Sequence, residues 1–122
     1  MMTGVVNAHL EALVRLTVRG PGGQEQEIEA VIDTGFSGSL TLPPSLIASL
    51  DLAWRSRSSA VLANANIEQF DVYAATVIWD GQPRSIMVQA IDNVPLGMAL
   101  LIGYDLRVRV NVGGVVEIQE GP

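Results

Sequence analysis

The chain has 122 residues, with seven basic and thirteen acidic side chains, so its formal net charge is −6 at neutral pH. This length suits a single domain, residues 1–122, with one small core. The negative charge repels a phosphate backbone and anionic lipid, so neither nucleic acid nor a membrane is an expected partner. Without cysteine, and with His9 as the single histidine, the chain offers no thiol nucleophile and no usual metal-ligand set. We therefore expect no metal and no cofactor.

Hydrophobic residues make up 48% of the chain, and its mean hydropathy is +0.33. This is more apolar than a free monomer of this size needs, which indicates a subunit interface. The first residues lack a basic leader, and no apolar stretch approaches the length of a membrane span. The sequence therefore predicts a soluble, cytoplasmic protein.

The first predicted element is a β-hairpin. Apolar and polar residues alternate from His9 to Arg19, the pattern of a strand with one buried face. A turn at residues 21–23 leads into a second strand from Glu27 to Ile32. This outgoing strand delivers the carboxylate of Asp33 at its end.

The rest of the chain predicts further short strands and little helix. Residues 39–42 form a strand, and residues 46–50 form one short helix with Pro44 in its first turn. Strands at 58–62 and 70–79 flank a small, polar hairpin tip at 63–66, and an Asp80-Gly81 turn leads to a strand at 84–91. A final hairpin joins 108–112 to 115–118. About eight strands with turns between them predict an all-β barrel or sandwich.

The tripeptide Asp33-Thr34-Gly35 follows the apolar pair Val31-Ile32 and occurs once in the chain. Two carboxylates that share a proton can activate water for peptide hydrolysis, so one copy of this turn is half of a catalytic site. A second copy of the chain would have to supply the other half. The alternative for Asp33 is a structural aspartate that accepts a hydrogen bond from its own turn.

Two features together carry a resemblance to a known family. These are the segment Asp33 to Gly38 and, some seventy residues later, the apolar pair and glycine Leu101-Ile102-Gly103. From about residue 10 to residue 118 the chain resembles the single-lobe, retropepsin-like aspartic proteases. Phe36, directly after the glycine, is most similar to prokaryotic members. The resemblance implies a closed barrel, a symmetric homodimer and a peptide or protein substrate, with a short helical turn after Gly103.

The resemblance also implies a role for each matching residue. Asp33 would be catalytic, one from each subunit, with one carboxylate ionised and its mate protonated. Thr34, Gly35, Ile102 and Gly103 would support the active-site loop. Substrate would be bound by Phe36, Ser37 and Gly38 and by the flap tip Ala63, Asn64, Ala65 and Asn66. The strand from Val115 to Glu120 is the candidate for a terminal strand that interleaves with the partner subunit.

Phe36 is the main departure from the family pattern, because relatives often carry serine or alanine after the glycine. A ring at this position narrows the central pockets and removes a hydrogen-bond donor near the carboxylates. Two alternatives therefore stay open. One is a retropepsin-like domain that binds peptides or assembles partners without cleaving them, and the other is a monomeric β-barrel scaffold.

Overall fold

The computed structural model describes residues 1–61 and 64–122. The strands are β1 (Met2–Val6), β2 (Ala12–Arg19), β3 (Glu25–Ile32), β4 (Leu40–Leu42), β5 (Ala53–Val61), β6 (Ile67–Trp79), β7 (Gln82–Ala90), β8 (Pro95–Leu96), β9 (Tyr104–Val108) and β10 (Val115–Glu120). The helices are α1 (Pro44–Ser49) and α2 (Met98–Leu101). No helix in these described ranges has the length and apolar character needed to cross a membrane.

The strands form one sheet in the order β5-β6-β7-β4-β8-β3-β2-β1-β10-β9. The first half of β2 pairs with β1, while Thr17, Val18 and Arg19 in its second half pair with β6. Since β3 lies along the other edge of β2, the sheet must bend back over itself where β2 and β6 meet. The β-rich fold class is confirmed, and the closed barrel stays a prediction.

The core lies between the two halves of this bent sheet. Alternate residues of the central strands point inward, as the period of a β-strand requires. Val18, Val77 and Val88 are fully buried, and so are Leu40 and Leu96 where β4 meets β8. Leu96 pairs directly with Ile32, the last residue of β3. The core therefore lies directly beneath the turn that follows Ile32.

The second helix corrects the prediction of a single helix. The apolar run near residue 100 was expected as an apolar pair before a glycine, with helix only after Gly103. Instead, Met98–Leu101 is helical, and strand β9 follows Gly103. Leu100 and Leu101 are buried against the core, so tertiary packing selects helix for this short run.

Arg84 on β7 connects this helix to the sheet. Its guanidinium donates hydrogen bonds to the carbonyl oxygens of Leu100 (3.0 Å) and Ala99 (3.3 Å), and it lies 6.0 Å from the centre of the Trp79 ring. The last carbonyl groups of a helix have no partner within the helix, so these bonds satisfy groups that would otherwise need water.

Replacing Arg84 with lysine is therefore expected to lower the free energy of unfolding by about 1 to 2 kcal/mol. Lysine keeps the charge but lacks the planar fork that reaches two carbonyl groups and stacks on an aromatic ring. Urea unfolding measures the change. Arg107→Lys on the exposed side of β9 is the control, and an equal loss in both variants would contradict the account.

The terminal strands differ most from expectation. Strand β1 was not predicted from the sequence, and the penultimate strand was predicted at 108–112, whereas β9 ends at Val108. Residues 109–114 instead form a turn in which Gly114 donates a hydrogen bond to the Asn111 carbonyl and Gly113 has a φ of +82°. Strand β10 lies between β1 and β9, so neither of its edges is free for the interleaving predicted for residues 115–120.

Candidate active site

The backbone around Asp33 continues β3 beyond its last paired residue. Val31 N–H donates to the Val94 carbonyl and Asp33 N–H donates to the Leu96 carbonyl, both at 2.9 Å. Bonds from alternate residues to one neighbouring strand keep the chain extended, so the side chains of Val31 and Asp33 lie on the same face of the sheet. The carboxylate is therefore positioned by the strand that precedes it.

A tight turn follows and holds one oxygen of this carboxylate. Gly35 N–H donates to Oδ1 of Asp33 at 2.9 Å, and Phe36 N–H donates to the Asp33 carbonyl at 3.1 Å. The Asx arrangement considered from the sequence is thus present. Asp33, Thr34 and Gly35 are all exposed, so one chain presents this carboxylate to solvent on an open surface.

The Phe36 ring packs against two glycines. A Cβ atom on Gly38 would lie 2.5 Å from Cζ of the ring, and one on Gly97 would lie 2.6 Å from Cδ2. Real Cβ atoms do not approach this closely, so the ring occupies space that any side chain at either position would need. Phe36 is half-buried in this cradle. Its predicted contact with substrate stays a prediction, as do those of Ser37 and Gly38.

The start of α2 supports the same loop through backbone hydrogen bonds. Gly97 N–H donates to the Ser39 carbonyl at 2.9 Å, Met98 N–H to the Phe36 carbonyl at 2.8 Å, and Ala99 N–H to the Gly38 carbonyl at 3.1 Å. A Cβ atom on Gly97 would also overlap the Gly38 carbonyl oxygen. Glycine at this position is what allows the two segments to touch.

From the sequence, this support was predicted for Ile102 and Gly103, five and six residues after Gly97. Ile102 is 73% exposed, and the Gly103 carbonyl accepts a hydrogen bond from Gly121 N–H near the end of the chain. The hydrogen bonds to the Asp33 loop come from the segment that begins with Leu96-Gly97. A signal for this segment was available, because Pro95-Leu96-Gly97 is also an apolar pair followed by glycine.

The flap-like hairpin is present as β5 and β6, which pair as far as Val61 opposite Ile67. In its tip, Asn66 N–H donates to Oδ1 of Asn64 at 3.1 Å, and Ala65 has a φ of +66°. Asn64, Ala65 and Asn66 are exposed, while Ala63 lies outside the described residues. Their contact with substrate stays a prediction.

Three cavities among the described residues lie away from Asp33, and the smallest, of about 280 Å³, is lined by Arg15, Ile28 and two glutamates. One of about 450 Å³ includes Arg19, Arg55 and Met87, and one of about 300 Å³ lies between α1 and the β5–β6 hairpin, with Arg57 and Tyr73 in its lining. Within residues 1–61 and 64–122, no three His, Asp or Glu side chains are grouped closely enough to hold a metal ion. None of these cavities includes Asp33, whose turn lies exposed on the surface of the single chain.

Comparison with known proteins gives a likeness in structure alone. No family model matches the sequence, and no curated protein matches it. Among solved structures, the fold is similar to the solution structure of the simian foamy virus (mac) protease, with a TM-score of 0.51 and 19% sequence identity. The match covers 72% of this chain and 91% of that chain. The chain therefore has the fold of a retroviral protease, as the resemblance in sequence predicted.

Proposed function

We propose that this protein is an aspartic endopeptidase whose active site forms when two copies bring their Asp33 carboxylates together. The observation that carries this proposal is the position of Asp33, exposed on a backbone-fixed turn at a strand end of a retroviral-protease fold. One chain provides a single carboxylate there. The reaction needs a second, and a two-fold axis beside Asp33 supplies it.

In the proposed dimer, two carboxylates about 3 Å apart share one proton, because both cannot be ionised at that separation. The ionised carboxylate removes a proton from water while the water oxygen attacks the peptide carbonyl carbon. The protonated carboxylate donates its hydrogen bond to the carbonyl oxygen as charge develops there. The C–N bond of the tetrahedral intermediate then breaks, and the leaving nitrogen takes a proton from the carboxylate that accepted it.

The neighbours of Asp33 fit this chemistry. The Gly35 N–H fixes Oδ1, and the Leu96 carbonyl fixes the Asp33 backbone, so the carboxylate reaches the reaction already oriented. Gly35 carries no side chain and permits a second chain to approach closely. The exposed Thr34 hydroxyl can both donate and accept, and we assign it a hydrogen bond across the two-fold axis.

A mixing experiment tests whether the site is shared between subunits. Wild-type chain and an Asp33→Asn variant are allowed to exchange subunits in equal amounts, and peptide cleavage is measured against the unmixed enzyme. With random pairing, about a quarter of dimers retain both carboxylates, so activity falls to about a quarter. If each chain worked alone, activity would fall only to one half, because the wild-type chain is diluted twofold by the variant. That result would contradict the proposal.

Phe36 is expected to restrict the residues accepted beside the cleaved bond. Replacing it with alanine empties the space over Gly38 and Gly97 and is expected to cost about 1 to 2 kcal/mol of unfolding free energy. The same change should admit bulkier side chains next to the scissile bond. Cleavage of a peptide library by both proteins measures this shift, and an unchanged preference would refute the assigned role.

A further inference from the structure

The Asp33 turn and several connections between strands lie at the same end of the sheet. Neighbouring strands in this part of the sheet are antiparallel, except that β3 and β8 are parallel. Four strands therefore end here, namely β1, β3, β8 and β9. Three strands begin here, namely β2, β4 and β10. Asp33 directly follows β3. The connection 7–11 between β1 and β2 and the connection 109–114 between β9 and β10 lie at the same end.

These two connections and the strands beside them expose apolar side chains. The exposed fractions are 46% for Val5, 60% for Leu10, 66% for Val110, 67% for Val112 and 47% for Val115. Val5 lies directly opposite Val115 in the β1–β10 register. Hydrogen bonds between Val6 and residues 113 and 114 hold the second connection against β1. We call these five side chains the apolar patch.

Two residues of the patch, Val5 and Val115, lie on the sheet face that carries Asp33, with the buried Leu13 between them and β3. The strand registers place Val115, Val5, Leu13 and Val31 in one row across β10, β1, β2 and β3. Residues directly opposite one another point to the same face, and Asp33 shares the face of Val31. Neighbouring strands lie about 4.8 Å apart, so Val115 is about 14 Å from β3. A circular subunit interface of about 800 Å² per partner, roughly 16 Å in radius and centred on Asp33, is wide enough to reach Val115.

Leu10 is unfavourable for an isolated subunit in two ways, through its backbone conformation and through its exposed apolar side chain. Its φ of +60° is a left-handed conformation, which costs a residue that has a Cβ atom about 1 to 2 kcal/mol relative to glycine. Asn7 stabilises the turn by accepting hydrogen bonds from His9 N–H and Glu11 N–H. Asparagine at position 10 would fit the backbone better and would expose no apolar surface. The turn therefore exposes a leucine where asparagine would cost less, and a contact outside the single chain would bury that side chain.

We propose that a second copy of this chain docks on the apolar patch, so that the dimer is held by side-chain packing at the Asp33 end of the sheet. The inference rests on the proposed function, because the shared site requires a second copy beside Asp33. It goes further by naming the surface that binds it. Exchange of β10 itself is excluded, since both of its edges are already paired within the chain.

The test compares a Leu10→Asn/Val112→Asn double variant with the wild type by sedimentation, with peptide cleavage measured on the same samples. We expect the dissociation constant of the dimer to rise at least about thirtyfold, since two apolar contacts are lost from each subunit. The unfolding midpoint of the dilute subunit should stay the same or increase, because asparagine relieves the strain at position 10. Loss of association without loss of stability excludes simple unfolding as the cause.

Met87→Gln is the matched control. Met87 is 53% exposed on β7 and lines the cavity that includes Arg19, at the far end of β2. Its replacement removes a similar exposed apolar side chain and is expected to change the dissociation constant by less than about twofold.

The two readouts separate this inference from the proposed function. A double variant that dimerises and cleaves like the wild type would overturn the patch and leave the protease proposal standing. A wild-type dimer that the double variant dissociates, with no cleavage by either, would support the patch and overturn the protease. A wild type that is monomeric at every concentration would overturn both this inference and the shared active site.

Discussion

Replacing Asp33 with asparagine is expected to lower the rate of peptide cleavage by about a thousandfold or more. Asparagine cannot take a proton from water, so both subunits lose the group that acts as general base or acid. The fold should be unaffected, because Asp33 is exposed and the asparagine oxygen can still accept the Gly35 N–H. We expect the free energy of unfolding to change by less than about 0.5 kcal/mol.

Cleavage of a denatured protein mixture from acidic to neutral pH measures this effect. Asp105→Asn, on the exposed side of β9, is the matched control and should retain full activity. Sedimentation of both variants tests whether each has the same association state as the wild type. Equal cleavage by wild type and the Asp33 variant would refute the protease proposal. Absence of cleavage in both would instead favour a retropepsin-like domain that binds peptides without hydrolysing them.

Replacing Gly97 with alanine is expected to damage both stability and activity. The new Cβ would lie 2.6 Å from Cδ2 of Phe36 and 2.7 Å from its carbonyl oxygen, and it would overlap the Gly38 carbonyl. Backbone atoms cannot move aside as a flexible side chain can, so we expect a loss of more than about 2 kcal/mol. The displaced loop carries Asp33, and a shift of about 1 Å is expected to reduce cleavage about a hundredfold.

Gly103→Ala is the control that separates the two candidate supports of the loop. Gly103 has a φ of +83°, and a Cβ there would meet nothing within 4 Å. Alanine should cost about 1 to 2 kcal/mol through backbone strain, with the cleavage rate per folded molecule unchanged. The opposite pattern, with activity lost at Gly103 and kept at Gly97, would restore the role first assigned to Ile102 and Gly103.

The elements predicted best from sequence are those with a strong local signal. The alternation in β2, the Asp80-Gly81 turn and the proline at the start of α1 each constrain the backbone through nearby residues. The turn of Asp33 belongs to the same class, because its apolar strand and Gly35 are adjacent in sequence. Local chemistry was sufficient to place the carboxylate at a strand end.

The elements predicted poorly depend on partners distant in sequence. β1 is held by β10, more than a hundred residues away, and nothing in residues 2–6 identifies that partner. Leu100 and Leu101 fit a strand or a helix equally well, and their burial against the core decides between them. The support at Gly97 was missed for the same reason, since its glycine is required by Phe36 and Gly38 across the fold.

The distance between the two Asp33 carboxylates, measured in a crystal structure of two associated copies, tests whether they form one active site. We expect the closest carboxylate oxygens to lie about 3 Å apart across a two-fold axis, within reach of a shared proton. A dimer in which the two carboxylates are too far apart to share a proton or a single water would contradict it.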